Sequence, residues 1–213
     1  MGEQESIFAV MVCEECRFRF PVWLSRPQPS HCPHCRQPHL QIISPYAAHA
    51  VPQTPVGGEH LPFIALLDNI RSMHNVGSMF RTADGAGLSH LHLCGITPTP
   101  AHPKLAKTAL GAETWVAWTY HKNGVDAAAV LQAQGYQLWA IEGGNRAQSL
   151  YQSQPPREAP IALVVGNELA GIDPGILALC DQVVAIPMQG NKRSLNVAVA
   201  FGIAVYRLLA PNS

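Results

Sequence analysis

The chain has 213 residues, 47% of them hydrophobic and 13% charged. That is enough apolar side chain for one sizeable core plus a small appendage, and too little charge for a disordered chain. No apolar run approaches the ~20 residues that span a bilayer. Fourteen basic and fourteen acidic residues cancel, which excludes bulk attraction to nucleic acid, so an RNA partner has to be held by a local patch.

The first eleven residues carry Glu3 and Glu5 and no basic residue, unlike a secretory signal, and a cytoplasmic protein is expected. Four of the six cysteines then fall close together as Cys13-x-x-Cys16 and Cys32-x-x-Cys35. Each Cys-x-x-Cys can form a knuckle, and two knuckles close a tetrahedral four-thiolate site with no open position. A structural zinc ion is therefore expected over residues 8–45, a segment too short for a core of its own, with metal binding supplying its folding energy. Two disulfides or a redox dithiol are the alternatives; the missing signal opposes the first and the doubled motif the second. Arg17, Arg19, Arg26 and Arg36 alternate with Phe18, Phe20 and Trp23. Such a set suits base stacking and phosphate pairing, and equally suits simple packing of the ribbon. Residues 46–60, rich in Pro, Ala, Gly and His without periodicity, read as a linker to a second domain over 61–213.

Phe63 to Leu67 is a continuous apolar run of the kind found in buried parallel strands. After it, Asn75 is a candidate helix cap, with Val76, Met79, Phe80 and Ala83 at helical spacing. Asn75 then lies at a strand's carboxyl end, where open α/β sheets bind ligands. Arg81 sits in the helix, either for a ligand or in a surface pair with Asp84. His90 to Cys94 reads as a strand, Lys104 to Leu110 as a short helix after a proline-rich loop, and Trp115 to Tyr120 as a strand. Lys104 and Lys107, one turn apart, can follow a phosphate backbone or simply face solvent. Val125 to Gln134 reads as a helix and Tyr136 to Ile141 as a strand ending in Glu142-Gly143-Gly144, where a ligand can approach the backbone. Neither a Gly-x-Gly-x-x-Gly nor a P-loop sequence occurs, against dinucleotide and nucleoside-triphosphate binding.

Ile161 to Val165 is another buried strand, followed by Gly166-Asn167-Glu168, and Asp173 caps a helix that has Pro174 at its first position. Glu168 is either a functional carboxylate or a loop residue satisfied by backbone amides. A last strand, Val183 to Ile186, leads into a loop in which Ser194 can cap a helix running to Leu209. That helix is apolar nearly all round, which predicts burial on several sides. Lys192, Arg193, Ser194 and Asn196 at its mouth need partners, which a ligand can supply.

Three of these segments resemble, in order and at matching spacing, the signature motifs of the SpoU/TrmH family of RNA ribose 2′-O-methyltransferases in the SPOUT superfamily. They read Asn75-x-Gly77-x-x-x-Arg81-Thr82-Ala83, Gly166-Asn167-Glu168-x-x-Gly171, and Ile186-Pro187-Met188-x-Gly190-x-x-x-Ser194-Leu195-Asn196-Val197. The resemblance covers about 61–210. Ala198 stands where the family often has a second serine, and the cysteine-bearing segment is not the usual family extension.

The resemblance implies an α/β fold: a five- or six-stranded parallel sheet with helices on both faces and a C-terminal trefoil knot, a topology physical rules alone disfavour. It implies bent S-adenosyl-L-methionine held by three loops, with Ile141, Glu142, Gly143, Gly166, Asn167, Ile186, Met188, Ser194 and Leu195 as cofactor-binding residues. It implies a homodimer that completes the site, a tRNA or rRNA substrate, and Asn75, Arg81, Glu168, Ser194 and Asn196 as catalytic residues. In the family the residue matching Arg81 has been assigned as general base. A guanidinium with pKa above ~12 is a poor base and a phosphate raises it further, so a clamp on phosphate and hydroxyl is the better role. The alternatives are a base-nitrogen RNA methyltransferase of the same superfamily and a non-catalytic RNA-binding adaptor.

Overall fold

The computed structural model describes residues 7–47, 62–144, 147–156 and 158–210. The chain divides into two compact units between Gly57 and Gly58.

The first unit is a three-stranded antiparallel sheet of β1 (Ile7–Cys13), β2 (Arg19–Trp23) and β3 (Leu40–Ala47), in the order β2-β1-β3. Alternation along β1 buries Ala9, Met11 and Cys13 on one face. The third strand runs on through Tyr46 and Ala47, two positions expected in the linker. The rest of the expected linker, 48–60, lies outside the described residues.

The second unit is built on seven strands, all paired in parallel: β4 (Phe63–Asp68), β5 (His90–Cys94), β6 (Ala117–His121), β7 (Gln137–Ile141), β8 (Gln148–Ser149), β9 (Ile161–Val165) and β10 (Gln182–Ala185). Their order is β6-β5-β4-β9-β7-β10-β8. The central strands β4 and β9 are buried throughout, as their unbroken apolar runs require. One sheet face packs against α1 (Met73–Ala86), α2 (Pro103–Ala109) and α5 (Val197–Leu209), the other against α3 (Gly124–Ala133) and α4 (Pro174–Leu179). The sheet has more strands than expected because β8 is two residues long, too short to carry a periodic signal. Sheet strand β10 is bonded to β7 on one side and β8 on the other, so the segment from Ile141 to Leu150 brackets it from both edges.

Several boundaries move from their sequence positions. Pro103 belongs to α2 as its first residue, and Leu110 ends the helix with φ 54°. Trp115, expected in a strand, is 82% exposed after a short 3-10 turn, and the strand begins at Ala117. The cap of α1 is Ser72, whose Oγ accepts from the Asn75 amide, and not Asn75; the cap of α5 is Asn196, whose Oδ1 accepts from the Ala198 and Val199 amides, and not Ser194. Both corrections release a polar side chain from local duty. The last helix is also not buried on several sides: Phe201, Ala204, Val205 and Leu208 form one buried stripe, while Val199 and Tyr206 are more than half exposed.

Two contacts show why glycines stand in α1 and after β9. A Cβ at Gly77 would overlap the Thr108 side chain and lie 2.9 Å from the Ala109 nitrogen, so this glycine lets α2 close onto α1. A Cβ at Gly166 would collide with the Gly171–Ile172 backbone, which folds back through paired Asn167 and Gly171 hydrogen bonds.

On the α3 side of the sheet, His90 and His92 of β5 meet Thr119 and His121 of β6. His90 Nε2 lies 2.9 Å from Thr119 Oγ1, and His92 Nδ1 lies 2.8 Å from His121 Nε2. Burial first, then the neighbouring imidazoles, push His92 down to about 4 and lower His90 as well, so these rings are neutral near pH 7. No helix among the described residues is long and apolar enough to cross a membrane.

Candidate active site and cysteine cluster

In the first unit the two knuckles repeat the same backbone turn. Arg17 N–H donates to the Cys13 carbonyl and Cys13 N–H to that of Phe18; Arg36 N–H donates to Cys32 and Cys32 N–H to Gln37. Both arginines are left-handed, at φ 62° and 64°. The result brings the sulfurs of Cys13, Cys16, Cys32 and Cys35 within 4.8 Å of one another, with Cys13–Cys35 at 3.5 Å and Cys16–Cys32 at 3.7 Å. Tetrahedral metal–sulfur bonds of ~2.3 Å place sulfurs ~3.8 Å apart, so the four thiols fit a zinc ion. Burial opposes ionisation of Cys32, but amides of Cys35 and His34 and the adjoining thiols outweigh it and lower it to about 6.

In the second unit the carboxyl ends of β7, β9 and β10 lie side by side, and the three loops leaving them enclose a cleft of about 450 Å³. That volume is in the ~300–1,000 Å³ range of small-molecule sites. Ile141, Glu142 and Gly143 enter it from the first loop, Gly166 and Asn167 from the second, and Ile186, Met188, Ser194 and Leu195 from the third. All nine residues singled out for a cofactor therefore line one cavity. Leu169, Arg193 and Ala200 line it too. Arg193 is one of the polar residues noted at the mouth of the last helix, whereas Leu169 in the second motif loop and Ala200 in α5 had no signal of their own.

Some of the polar side chains already have structural work. Glu142 accepts from the amides of Gly143 and Ile172, tying the loop after β7 to the turn after β9. Asn167 donates to the Asn69 carbonyl at 2.7 Å and accepts from the Leu169 and Ala170 amides, which fixes its loop against the end of β4. Asn69 itself is left-handed at φ 56° and bonds Ile96. The buried Asp68 accepts from Asp173 N–H and Asn69 Nδ2 and is raised by its burial. By contrast, the peptide groups of Ile186, Met188 and Leu195 have no hydrogen-bond partner among the described residues. With half-exposed apolar side chains beside free peptide groups, the cleft fits a ligand that has a flat heteroaromatic ring and polar edges, as S-adenosylmethionine has.

At the mouth of this cleft three motifs meet. Asn196 Nδ2 donates to Asn75 Oδ1 at 3.0 Å, and Asn75 Nδ2 donates to Glu168 Oε1 at 2.8 Å. Glu168 also accepts from the amides of Arg71 and Ser72, at 3.0 and 3.1 Å. Burial opposes its charge, but these donors outweigh it and hold the carboxyl below its ordinary range. Glu168 thus lines the cleft and is satisfied by amides, a combination that makes it a fixed acceptor and a weak base. Ser194 lines the cleft. Arg81 is not brought into it: the side chain is exposed on α1, and no carboxylate lies within ion-pair distance among the described residues, so the Asp84 pair does not form either.

Known proteins share this architecture. An S-adenosylmethionine-bound rRNA methyltransferase from Sinorhizobium meliloti superposes with TM-score 0.65 at 27% identity, over 69% of this chain and 55% of that one. An RNA methyltransferase of the TrmH family from Porphyromonas gingivalis does so with TM-score 0.63 at 33% identity, over 72% and 62%. Among curated proteins, the tRNA (guanosine(18)-2′-O)-methyltransferase of Escherichia coli strain K12 is 34% identical over 140 residues, 66% of this chain and 59% of its own length. The 23S rRNA (guanosine(2553)-2′-O)-methyltransferase of Bacillus subtilis strain 168 is 35% identical over 145 residues, 68% and 57%. The chain thus spans under three fifths of the length of these curated relatives. The SpoU rRNA Methylase family matches residues 62–206, the whole of the sheet and all three motifs. The chain belongs to the SpoU rRNA methylase family.

Proposed function

We propose that the chain transfers a methyl group to a ribose 2′-hydroxyl of tRNA or rRNA, with S-adenosylmethionine in the cleft formed by the loops after β7, β9 and β10. The observation that carries this reading is the hydrogen-bonded run Asn196–Asn75–Glu168 at the cleft mouth, which joins one residue from each motif. The bound cofactor supplies an electrophilic sulfonium methyl, so the protein has mainly to align the two centres and help the hydroxyl proton leave. Ile141, Ile186, Met188 and Leu195 offer apolar walls to the cofactor, the last three also free peptide groups, and Gly143, with nothing beside it, lets it approach the backbone. Glu168, kept charged, fixes Asn75; Asn75 and Asn196, with Ser194, orient the ribose. Arg81 clamps the substrate phosphate and stabilises charge developing on the hydroxyl oxygen.

We further infer a homodimer, because Arg81 lies outside the cleft of its own chain and the apolar Val199 and Tyr206 of α5 lie exposed. In that dimer Arg81 of one chain reaches the cleft of the other. Bracketing of β10 by the Ile141–Leu150 segment supports the trefoil threading, and the four-cysteine cluster supports a structural zinc. A cytoplasmic site of action follows from the RNA substrate.

The test is transfer of labelled methyl from S-adenosylmethionine to total RNA, with the product nucleoside mapped. Wild type should yield 2′-O-methylated ribose, and Arg81→Ala should bind the cofactor nearly as well while losing at least ~10²-fold in transfer. A base-methylated product would point to the base-nitrogen alternative, cofactor binding without transfer to the adaptor. Near wild-type turnover by Arg81→Ala would remove the clamp.

A further inference from the structure

The sheet of the first unit carries a row of partly exposed aromatic side chains on the face opposite its buried residues. Alternation puts Ala9, Met11 and Cys13 on the buried face, so Phe8, Val10 and Val12 point to the other. There Phe8 lies directly between Trp23 on β2 and Tyr46 on β3, its register partners on either side. Its ring centroid is 5.6 Å from that of Trp23 and 5.8 Å from that of Tyr46, the latter pair stacked at 22°. The row continues at the β2 edge, where the Arg26 guanidinium carbon sits 3.4 Å from the Trp23 ring centroid. Trp23 and Tyr46 remain 38% and 41% exposed. Aromatics placed only to pack the ribbon belong on the buried face, and these are in register on the wet one.

The edge of the row is shaped as well. Gln28 Nε2 donates to the carbonyls of Trp23 and Arg26, both at 2.7 Å, and holds the turn so that Phe8, Pro21, Trp23 and Arg26 border a groove of about 450 Å³. Charge on this face is one-sided. Arg19 shares it with Pro21 and Trp23, and Arg26 caps it. Among the described residues the unit's carboxylates, Glu14 and Glu15, are in the first knuckle beyond the other end of β1, where Glu15 is 2.9 Å from His39.

We propose that this face is a stacking platform for unpaired bases of single-stranded RNA, with Tyr46, Phe8, Trp23 and the Arg26 plane receiving bases and Arg19 and Arg26 meeting the backbone. Flat rings and a guanidinium plane accept any base by its π-face, and cations with no facing carboxylate among the described residues match a polyanion. A duplex hides its bases, so the platform selects strands that are already open. The proposal rests on the RNA-methyltransferase reading for the polymer's identity and adds where, outside the methyl-transfer cleft, the strand is held.

The experiment uses the full-length, zinc-loaded protein with two probes: fluorescein-labelled single-stranded oligouridylate and a fully paired RNA hairpin of equal length. Replacing Trp23→Ala and Tyr46→Ala together should weaken oligouridylate binding by about tenfold or more, from stacking energies of this class. Hairpin affinity, zinc content and S-adenosylmethionine binding should stay as in wild type. The pair Trp23→Phe and Tyr46→Phe, which keeps the rings, should restore binding to within about threefold. If wild type does not bind oligouridylate, if the alanine pair binds it equally well, or if the phenylalanine pair fails to restore it, the platform is not an RNA-stacking surface and serves another partner. Those outcomes leave methyl transfer untouched, whereas absence of transfer by wild type with intact oligouridylate binding would remove the enzymatic reading alone.

Discussion

The two units of this chain reach order by opposite routes. In residues 7–47 the fully buried side chains are few, Ala9, Met11, Cys13 and Cys32, and two of those four are members of the thiol cluster. In residues 62–210 apolar layers cover both faces of the sheet, from Phe80, Leu91 and Phe201 on one side to Leu131, Leu138 and Ile176 on the other. Order in the first unit is expected to hang on four sulfur atoms, whereas in the second burial is spread over several dozen side chains. A fold secured by distributed burial can spend polar residues at one sheet edge, as the Asn196–Asn75–Glu168 run does, without endangering itself. A fold secured at one point has no such margin in its core, but its sheet face is free.

The sharpest way to break this contrast is to remove the metal. Purified, reduced protein should contain one zinc per chain; chelation, or Cys32→Ser, should abolish the dispersed amide resonances of residues 7–47 while those of 62–210 and cofactor binding persist. Structural zinc is worth ~10–16 kcal/mol in comparable peptides, far more than four buried side chains supply. Dispersed resonances in the zinc-free protein would show that the small unit has a core of its own.

Acid, which also protonates zinc-binding thiolates, should act on the large unit by a separate route. His92 titrates near 4 in the folded chain, below the ordinary 6.5, because burial and then His90 and His121 oppose its charge. The unfolded chain therefore binds the extra proton first. The stabilising contribution is complete above about pH 6.5 and is lost as pH falls toward 4. A shift of that size corresponds to at most about 3 kcal/mol, which partial exposure reduces to about 1–2. Denaturant midpoints measured across that window should fall, and His92→Gln should flatten the slope; an unchanged slope would exclude the histidine cluster.

The smallest expected effect returns to the knuckles. Arg17 and Arg36 occupy a left-handed position where glycine carries no Cβ penalty. Arg36→Gly should make zinc harder to extract by about 1 kcal/mol, read from the chelator concentration at half-removal. Easier extraction would mean that the Arg36 side chain contributes to the site more than its backbone costs.

How far the fold was legible follows from the kind of signal each element carries. Phe63 to Asp68 and Ile161 to Val165 were recognisable because continuous apolar runs end at a polar or glycine residue. The helix caps were misplaced because Ser72 and Asn75, like Ser194 and Asn196, are equally good cap residues, and only tertiary contacts decide which is free to cap. Asn75 is drawn away by Glu168, a residue 93 positions distant. Composition displayed α5 as apolar but could not say that only the Phe201–Leu208 stripe finds a core within the chain. The cleft was readable from its motifs, since glycines and polar residues at strand ends leave a pattern. Arg81 showed the limit of that pattern: shared motif membership does not put a side chain in the same cavity. In the first unit the alternating arginines and aromatics were visible, but which sheet face they occupy became clear only from the β1–β2–β3 register.

The bracketing of β10 by the Ile141–Leu150 segment has a consequence for how the cleft comes into being. Its three walls are contributed by 141–143, 165–171 and 185–200, so the third depends on β10 being seated between β7 and β8. A polypeptide ending before β10 thus lacks the third wall. Docking of β10 and completion of the cleft are therefore one event, because a chain in which β10 is not seated lacks the wall that follows it.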